Sequence, residues 1–223
     1  MDIAVKRFYL SIVFPMIFII VIWLIFILDL SLDLDLFYWG LYPRKLSGLW
    51  GILFSPLLHG SLKHIIANTI PVFVLSTGLF YFYRDLAFRV LVLSYLATGI
   101  LVWCFGRPSY HIGASGLIYA LAGFLFFSGV LRKHVGLMAI SLIIVFQYGS
   151  LVWGIFPLEE KVSWEGHLMG LISGFILAVF YRHKGPQLDK FPWELEDEAE
   201  DQAGSELPWS DYEIEGKRKE NLD

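Results

Sequence analysis

The sequence predicts an all-α, polytopic membrane protein with six transmembrane helices, and three observations lead there. Of its 223 residues 57% are hydrophobic and only 17% charged, with a mean hydropathy of +0.62. Apolar stretches of bilayer length recur along the chain, separated by charged or aromatic segments. The charge is segregated as well: residues 1–184 hold 13 Lys/Arg against 8 Asp/Glu, whereas residues 185–223 hold 4 against 13. A soluble domain keeps more charge on its surface, which excludes that class. The pI of about 5.9 averages a basic membrane part with an acidic tail and describes neither.

A bilayer-crossing helix needs roughly 20 apolar residues. Six stretches qualify within a membrane domain of residues 1–184: 8–28, 62–83, 86–105, 115–131, 135–156 and 165–181. The first follows Lys6 and Arg7. Its apolar core is longer than that of a signal peptide and no small-residue cleavage site follows, so it reads as a retained helix. Residues 29–59 do not form a span. Asp29, Asp33 and Asp35 interrupt them, and Phe37, Tyr38, Trp39, Tyr42 and Trp50 suit the headgroup region of the outer leaflet. The fourth and sixth stretches are the shortest, as suits helices held inside a bundle rather than against lipid. Cys104 has no partner for an intrachain disulfide and reads as a small packing residue.

Cationic loops stay on the cytoplasmic side. With the N-terminus inside, that side holds Lys6, Arg7, Arg84, Arg89, Arg132, Lys133, Arg182 and Lys184, against Arg44, Lys45, Lys63, Arg107 and Lys161 outside. Both termini are therefore expected in the cytoplasm. Residues 185–223, broken by Pro186, Pro192 and Pro208, read as an acidic, disordered cytoplasmic tail. Trp193, Trp209 and Tyr212 leave open that the tail docks a partner.

In this topology the second, fourth and sixth helices all start at the outer surface, and each starts with polar groups. The second carries His64 and Asn68, four residues apart and hence on one face; the fourth carries Ser115 and Tyr119; the sixth carries His167, Gly170 and Gly174. Polar side chains in a bilayer are costly unless they find partners or line a wet cavity, so polar groups at one depth suggest a site. Serine becomes a nucleophile when a base takes its proton, and His167 is the base available. Gly170 and Gly174 let the sixth helix approach the fourth closely. Each residue also has a plainer use: Ser115 as a helix cap, His167 as a packed interfacial side chain. Ser94, Ser128, Ser141 and Ser173 read as serines bonded back to their own helices. No Gly-x-Ser-x-Gly elbow follows a strand, since residue 117 is leucine. A metal site from His59, His64, His111 and His167 is disfavoured by the five-residue spacing of the first two and by few carboxylates in the spans.

Over residues 50–174 the chain resembles the rhomboid family of intramembrane serine proteases. His59-Gly60-Ser61-Leu62-Lys63-His64 followed by Asn68 is similar to its His-x4-His-x3-Asn signature. Gly113-Ala114-Ser115-Gly116 is similar to its Gly-x-Ser-Gly, and the run from Gly166-His167 through Gly170 to Gly174 to its third motif. The resemblance implies a six-helix rhomboid-like bundle that cuts transmembrane segments of membrane proteins. In it Ser115 is the nucleophile and His167 the general base, His64 and Asn68 hold the oxyanion, and Tyr119, Gly113, Gly170 and His59 support the site. Glu165, two residues from His167, is not expected to complete a triad. Where the family commonly has Trp-Arg in its first loop, this chain has Trp50-Gly51, so that loop must be braced differently.

The expected partners are thus the lipid bilayer and membrane proteins whose transmembrane segments are helix-destabilised, with no nucleic acid, no metal and no cofactor. The alternative is a catalytically inactive rhomboid-like protein that binds membrane clients. A transporter with a polar midplane would show inverted repeats or charges deep in its spans, and neither is present.

Overall fold

The structure is a computed structural model that describes residues 3–133, 135–147, 154–158 and 163–185. The expected tail beyond Gly185 and residues 148–153 of the fifth span lie outside these, as does the side chain of Ser141, and residues 154–156, expected to end that span as helix, form a turn. Within them the chain forms seven helices and no strand: α1 Ile3–Leu32, a four-residue α2 Gly51–Phe54, α3 Leu62–Phe82, α4 Ala87–Phe105, α5 Ser115–Leu131, α6 Val135–Gln147 and α7 Trp164–Phe180. A bilayer core offers backbone groups no hydrogen-bond partner, so spanning segments satisfy them internally as helices.

α1, α3 and α4 are long and apolar enough to cross a membrane by themselves. α5 and α7 have 17 residues each, about 25 Å at 1.5 Å per residue, which is short of a hydrocarbon core of about 30 Å. Their position compensates. Most of α5 is buried, including the completely enclosed Ala120, Leu121, Phe124 and Leu125, so it is the central post of the bundle. α1 is its opposite: Val13, Ile17 and Ile20 are more than half exposed, the surface a lipid-facing helix presents. Trp23 Nε1 donates to Thr69 Oγ1 at 3.1 Å and ties α1 to α3 by a polar bond between helices. Thr69 in turn donates to the Ile65 carbonyl at 2.7 Å.

α5 and α7 touch along glycine. A Cβ on Gly170 would lie 2.1 Å from the Gly116 oxygen, and one on Gly174 would lie 2.2 Å from the Ala120 oxygen. A four-residue step on one helix matches a four-residue step on the other, so the two run parallel with their heads together. Ser115 and His167 sit at those heads.

Residues 33–61 are a string of tight turns rather than an open loop. Turns of 3-10 helix at Leu36–Trp39, Leu46–Trp50 and Ser55–Leu57 flank α2. Arg44 braces this segment. Its guanidinium donates to the Gly106 oxygen at 2.8 Å and its backbone N–H to the Trp103 oxygen at 3.0 Å, while Trp103 Nε1 returns a bond to the Lys45 oxygen at 3.0 Å. Gly51 has a different duty from a bracing arginine, because a Cβ there would lie 2.1 Å from Leu41 Cα. Leu41 then pairs with His111 through a two-way backbone bridge, Leu41 N to His111 O at 3.0 Å and His111 N to Leu41 O at 2.8 Å.

Of the serines expected to bond back to their helices, Ser173 does so, to the Met169 oxygen at 2.7 Å. Ser94 and Ser128 do not. Both hydroxyls are buried without that bond, and Ser128 faces the Tyr83 phenol instead.

Candidate active site

His167 enters α7 one turn in, after Ser163 caps the helix by accepting from the Gly166 N–H at 3.3 Å. Its ring is 9% exposed and stacks on Tyr119 of α5, centroids 4.3 Å apart and planes 13° from parallel. The two ring nitrogens have different partners. Nδ1 lies 2.8 Å from the Gly154 oxygen, an acceptor only, so this nitrogen carries the proton and donates. Nε2 is left with its lone pair, 2.8 Å from Ser115 Oγ. A hydroxyl aimed at an unprotonated imidazole nitrogen is the arrangement in which serine can lose its proton as it attacks. Ser115 is half-buried, within reach of a ligand.

Gly113 makes room beside it. Its φ of +105° is a left-handed conformation that favours glycine. A Cβ there would also lie 2.5 Å from His64 Nε2, so the His64 ring rests directly against the strand of backbone leading into Ser115. Asn68, one turn along α3, is buried and donates one amide hydrogen to the His64 oxygen at 2.9 Å, which leaves its second N–H. His59 lies in the turn before α3 rather than on it, yet its ring centroid is 5.0 Å from that of His64. The His59 ring nitrogens make no well-formed hydrogen bond among the described residues. Burial, with the neighbouring His64 ring adding to it, pushes its pKa down to about 4, so His59 is neutral at pH 7.

Three features were not foreseen. The Gly154 carbonyl that orients His167 comes from the segment between α6 and α7, where nothing in the sequence singles it out. His111, considered above only as a metal ligand, has Nδ1 2.6 Å from Ser163 Oγ and Nε2 3.2 Å from the Arg107 oxygen. It therefore connects the α4–α5 loop to the cap of α7, and its burial pushes its pKa down. The third is the partner of Glu165, whose carboxylate makes no hydrogen bond to the Ser–His pair. It faces Arg107 instead, Nε to Oε1 at 3.4 Å, with the carboxylate buried and the guanidinium a third exposed. A helix-cap serine before a tryptophan and an acidic residue was a legible start signal for α7 at Trp164. Beside Ser115 a cavity of about 40 Å³ is lined by polar Ser55, Thr98, His111 and Ser163. Among the described residues no three His, Cys, Asp or Glu side chains converge as a metal site would need.

A model of the rhomboid domain matches residues 46–184, more than half of the chain. The chain belongs to the rhomboid family. An uncharacterized protein of Mycobacterium bovis is 36% identical over 153 residues, 62% of this chain and 62% of its own length. The rhomboid protease GlpG of Serratia proteamaculans is 30% identical over 159 residues, 68% of this chain and 56% of that protein. The rhomboid protease GluP of Bacillus subtilis is 29% identical over 134 residues, 59% of this chain and 26% of its own. The matches thus span less than two thirds of these relatives. A rhomboid domain is a polytopic membrane bundle, and the apolar helices described above make this protein an integral membrane protein.

Proposed function

We propose that this rhomboid is an intramembrane serine endopeptidase that cuts transmembrane segments of other membrane proteins with a Ser115–His167 dyad. The observation that carries the reading is the 2.8 Å approach of His167 Nε2 to Ser115 Oγ, with Nδ1 committed to Gly154. Ser115 Oγ attacks the substrate carbonyl carbon while its proton passes to His167 Nε2. The carbonyl oxygen becomes an oxyanion, held by the free Asn68 N–H, the His64 ring and the Ser115 backbone N–H. As the C–N bond breaks, His167 returns the proton to the leaving amine. Water, for which the cavity beside Ser115 has room, then hydrolyses the acyl-enzyme with His167 again as base. Tyr119 keeps the imidazole in plane, Gly113 and Gly170 permit the close approaches, and His59 supports His64. No carboxylate takes part, because a backbone carbonyl fixes the tautomer that an aspartate fixes in a triad.

A peptide bond inside an intact helix is shielded by its own turn. The substrates are therefore segments that unwind locally, and the resemblance to rhomboid proteases implies a small residue before the scissile bond. Both termini lie in the cytoplasm of a prokaryotic-type membrane and the site opens to the other side, with residues 1–184 forming the membrane domain and residues 185–223 an acidic tail. The experiment is fluorophosphonate labelling of the full chain. Wild type is expected to label, and Ser115→Ala and His167→Ala are expected not to. If wild type fails to label where another rhomboid does, and cuts no transmembrane substrate, the protein is the inactive client-binding form instead.

A further inference from the structure

The head of α5 carries Ser115, so Leu131 and the adjoining Arg132 mark the opposite end of the bundle. There the Arg132 guanidinium lies over the Tyr83 ring at 5.4 Å, and Tyr83 borders a cleft of about 790 Å³ between the starts of α1 and α4 and the end of α3. Its polar wall is Lys6, Arg7, Arg84 and Asp85, and Leu10 and Phe82 contribute apolar surface. Three cations face one carboxylate. None of the four has an ion-pair partner within 4.0 Å among the described residues, where Arg107–Glu165 is the pair that forms.

Arg7 is fixed in place. Its Nε and one Nη donate to the Tyr81 oxygen at 2.9 and 2.6 Å, and its guanidinium sits 4.9 Å from the Tyr81 ring centroid. Those bonds satisfy the last turn of α3 and account for Arg7 structurally, but among the described residues no carboxylate pairs with its charge, and they explain neither Lys6 nor Arg84. Like charges gathered at the edge of a low-dielectric bundle repel one another, and an anion between them removes that repulsion. The cleft lies where three helices of membrane length begin or end, the level at which lipid headgroups sit, so a lipid is the source of anion that such a site meets. The apolar side of the cleft continues from Leu10 onto the exposed row Val13 and Ile17 of α1, a path for an acyl chain.

We propose that this cleft binds the headgroup of an anionic glycerophospholipid, with Lys6, Arg7 and Arg84 on the phosphate and the acyl chain along α1. Asp85 accepts hydrogen bonds from headgroup hydroxyls and repels a second anionic group on its side. The site is independent of the dyad.

The test uses the full-length protein in mild detergent, loaded with phosphatidylglycerol or phosphatidylcholine and examined by native mass spectrometry. Phosphatidylglycerol is expected to be retained about tenfold better, and the Lys6→Gln, Arg84→Gln double variant to lose that preference with an unchanged Tm. If the double variant does not fold, Arg84→Glu alone, a change at an exposed position, is expected to abolish the preference. Equal retention of the two lipids, or a preference unchanged in a folded variant, overturns the proposal. So does displacement of the lipid by millimolar inorganic phosphate, which would reassign the cleft to a soluble ion.

Discussion

His167 owes its chemistry to what each nitrogen meets: a carbonyl at Nδ1 and a hydroxyl at Nε2. Asn68 is similarly divided, with one amide hydrogen on the His64 oxygen and one free. Asn68→Ala is therefore expected to lower kcat about 10²–10³-fold without abolishing turnover, measured on a reconstituted transmembrane substrate. Fluorophosphonate labelling should persist in that variant, because Ser115 and His167 remain paired. A second expectation concerns pH. The His59 pKa is pushed down to about 4, and that of His111 is also lowered, both by burial. A base whose folded pKa lies below its unfolded value near 6.5 binds fewer protons when folded, so stability is intact above pH 6.5 and falls as the pH drops toward 4. For His59 the loss is on the order of 3 kcal/mol across that window. The Tm in detergent should fall steadily from pH 7 to pH 4.5, and His59→Leu should make that fall shallower. An unchanged pH profile in His59→Leu would rule out this residue as a source.

Between elements, glycine sets the distance. A methyl group on Gly170 has nowhere to go, since the Gly116 oxygen would be 2.1 Å away and backbone cannot swing aside. Gly170→Ala must push α7 off α5, at a cost of roughly 1–3 kcal/mol or more. It should also lengthen the Ser115–His167 approach, so labelling is expected to drop further than the Tm implies. Gly78 on α3 provides the contrast. Its nearest atoms to a built Cβ are 3.6 Å away, in side chains of Ile140 and Leu125. Gly78→Ala is expected to be neutral or to stabilise by up to about 1 kcal/mol, because alanine is the better helix former. Thermal unfolding of the two variants side by side distinguishes a spacing effect from a general intolerance of helix glycines. In the sequence, the spacing of Gly170 and Gly174 announced a close contact. The fourth span, which is α5, was the expected partner; the structure adds the register, with Gly170 meshing with Gly116 and Gly174 with Ala120.

For the whole molecule, the two ends of the bundle have separate duties. Arg132, 6% exposed, donates to the oxygens of Ser128, Tyr181 and Lys184 and so ties the far end of α5 to the end of α7. Charged hydrogen bonds of this kind contribute about 1.5–3 kcal/mol each, and removing the donor strands buried carbonyls. Arg132→Met is therefore expected to lower the Tm by several degrees while leaving fluorophosphonate labelling per folded molecule unchanged. Equal loss of both would mean that the ends are coupled. The opposite end depends on bonds that reach across the chain: Arg44 to the end of α4, His111 to the cap of α7, and Arg107 to Glu165. None of these was readable beforehand. Arg44, Arg107 and His111 lie in loops, where no periodicity indicates which way a side chain turns.

What the sequence determined by itself was whatever repeats locally or needs a particular residue type. Apolar runs of bilayer length gave the helices. Ser115, His167, His64 and Asn68 stood out as polar groups at helix heads. Only the tertiary structure decided which of these groups meet. Ser115 and His167 are 52 residues apart in the chain and 2.8 Å apart in space. That proximity comes from two parallel helices packed backbone to backbone, and the Gly154 carbonyl that fixes the His167 tautomer comes from a third segment altogether. Helix formation follows from hydrogen bonds to near neighbours, whereas a proton shared between helices requires the whole bundle to have chosen one packing.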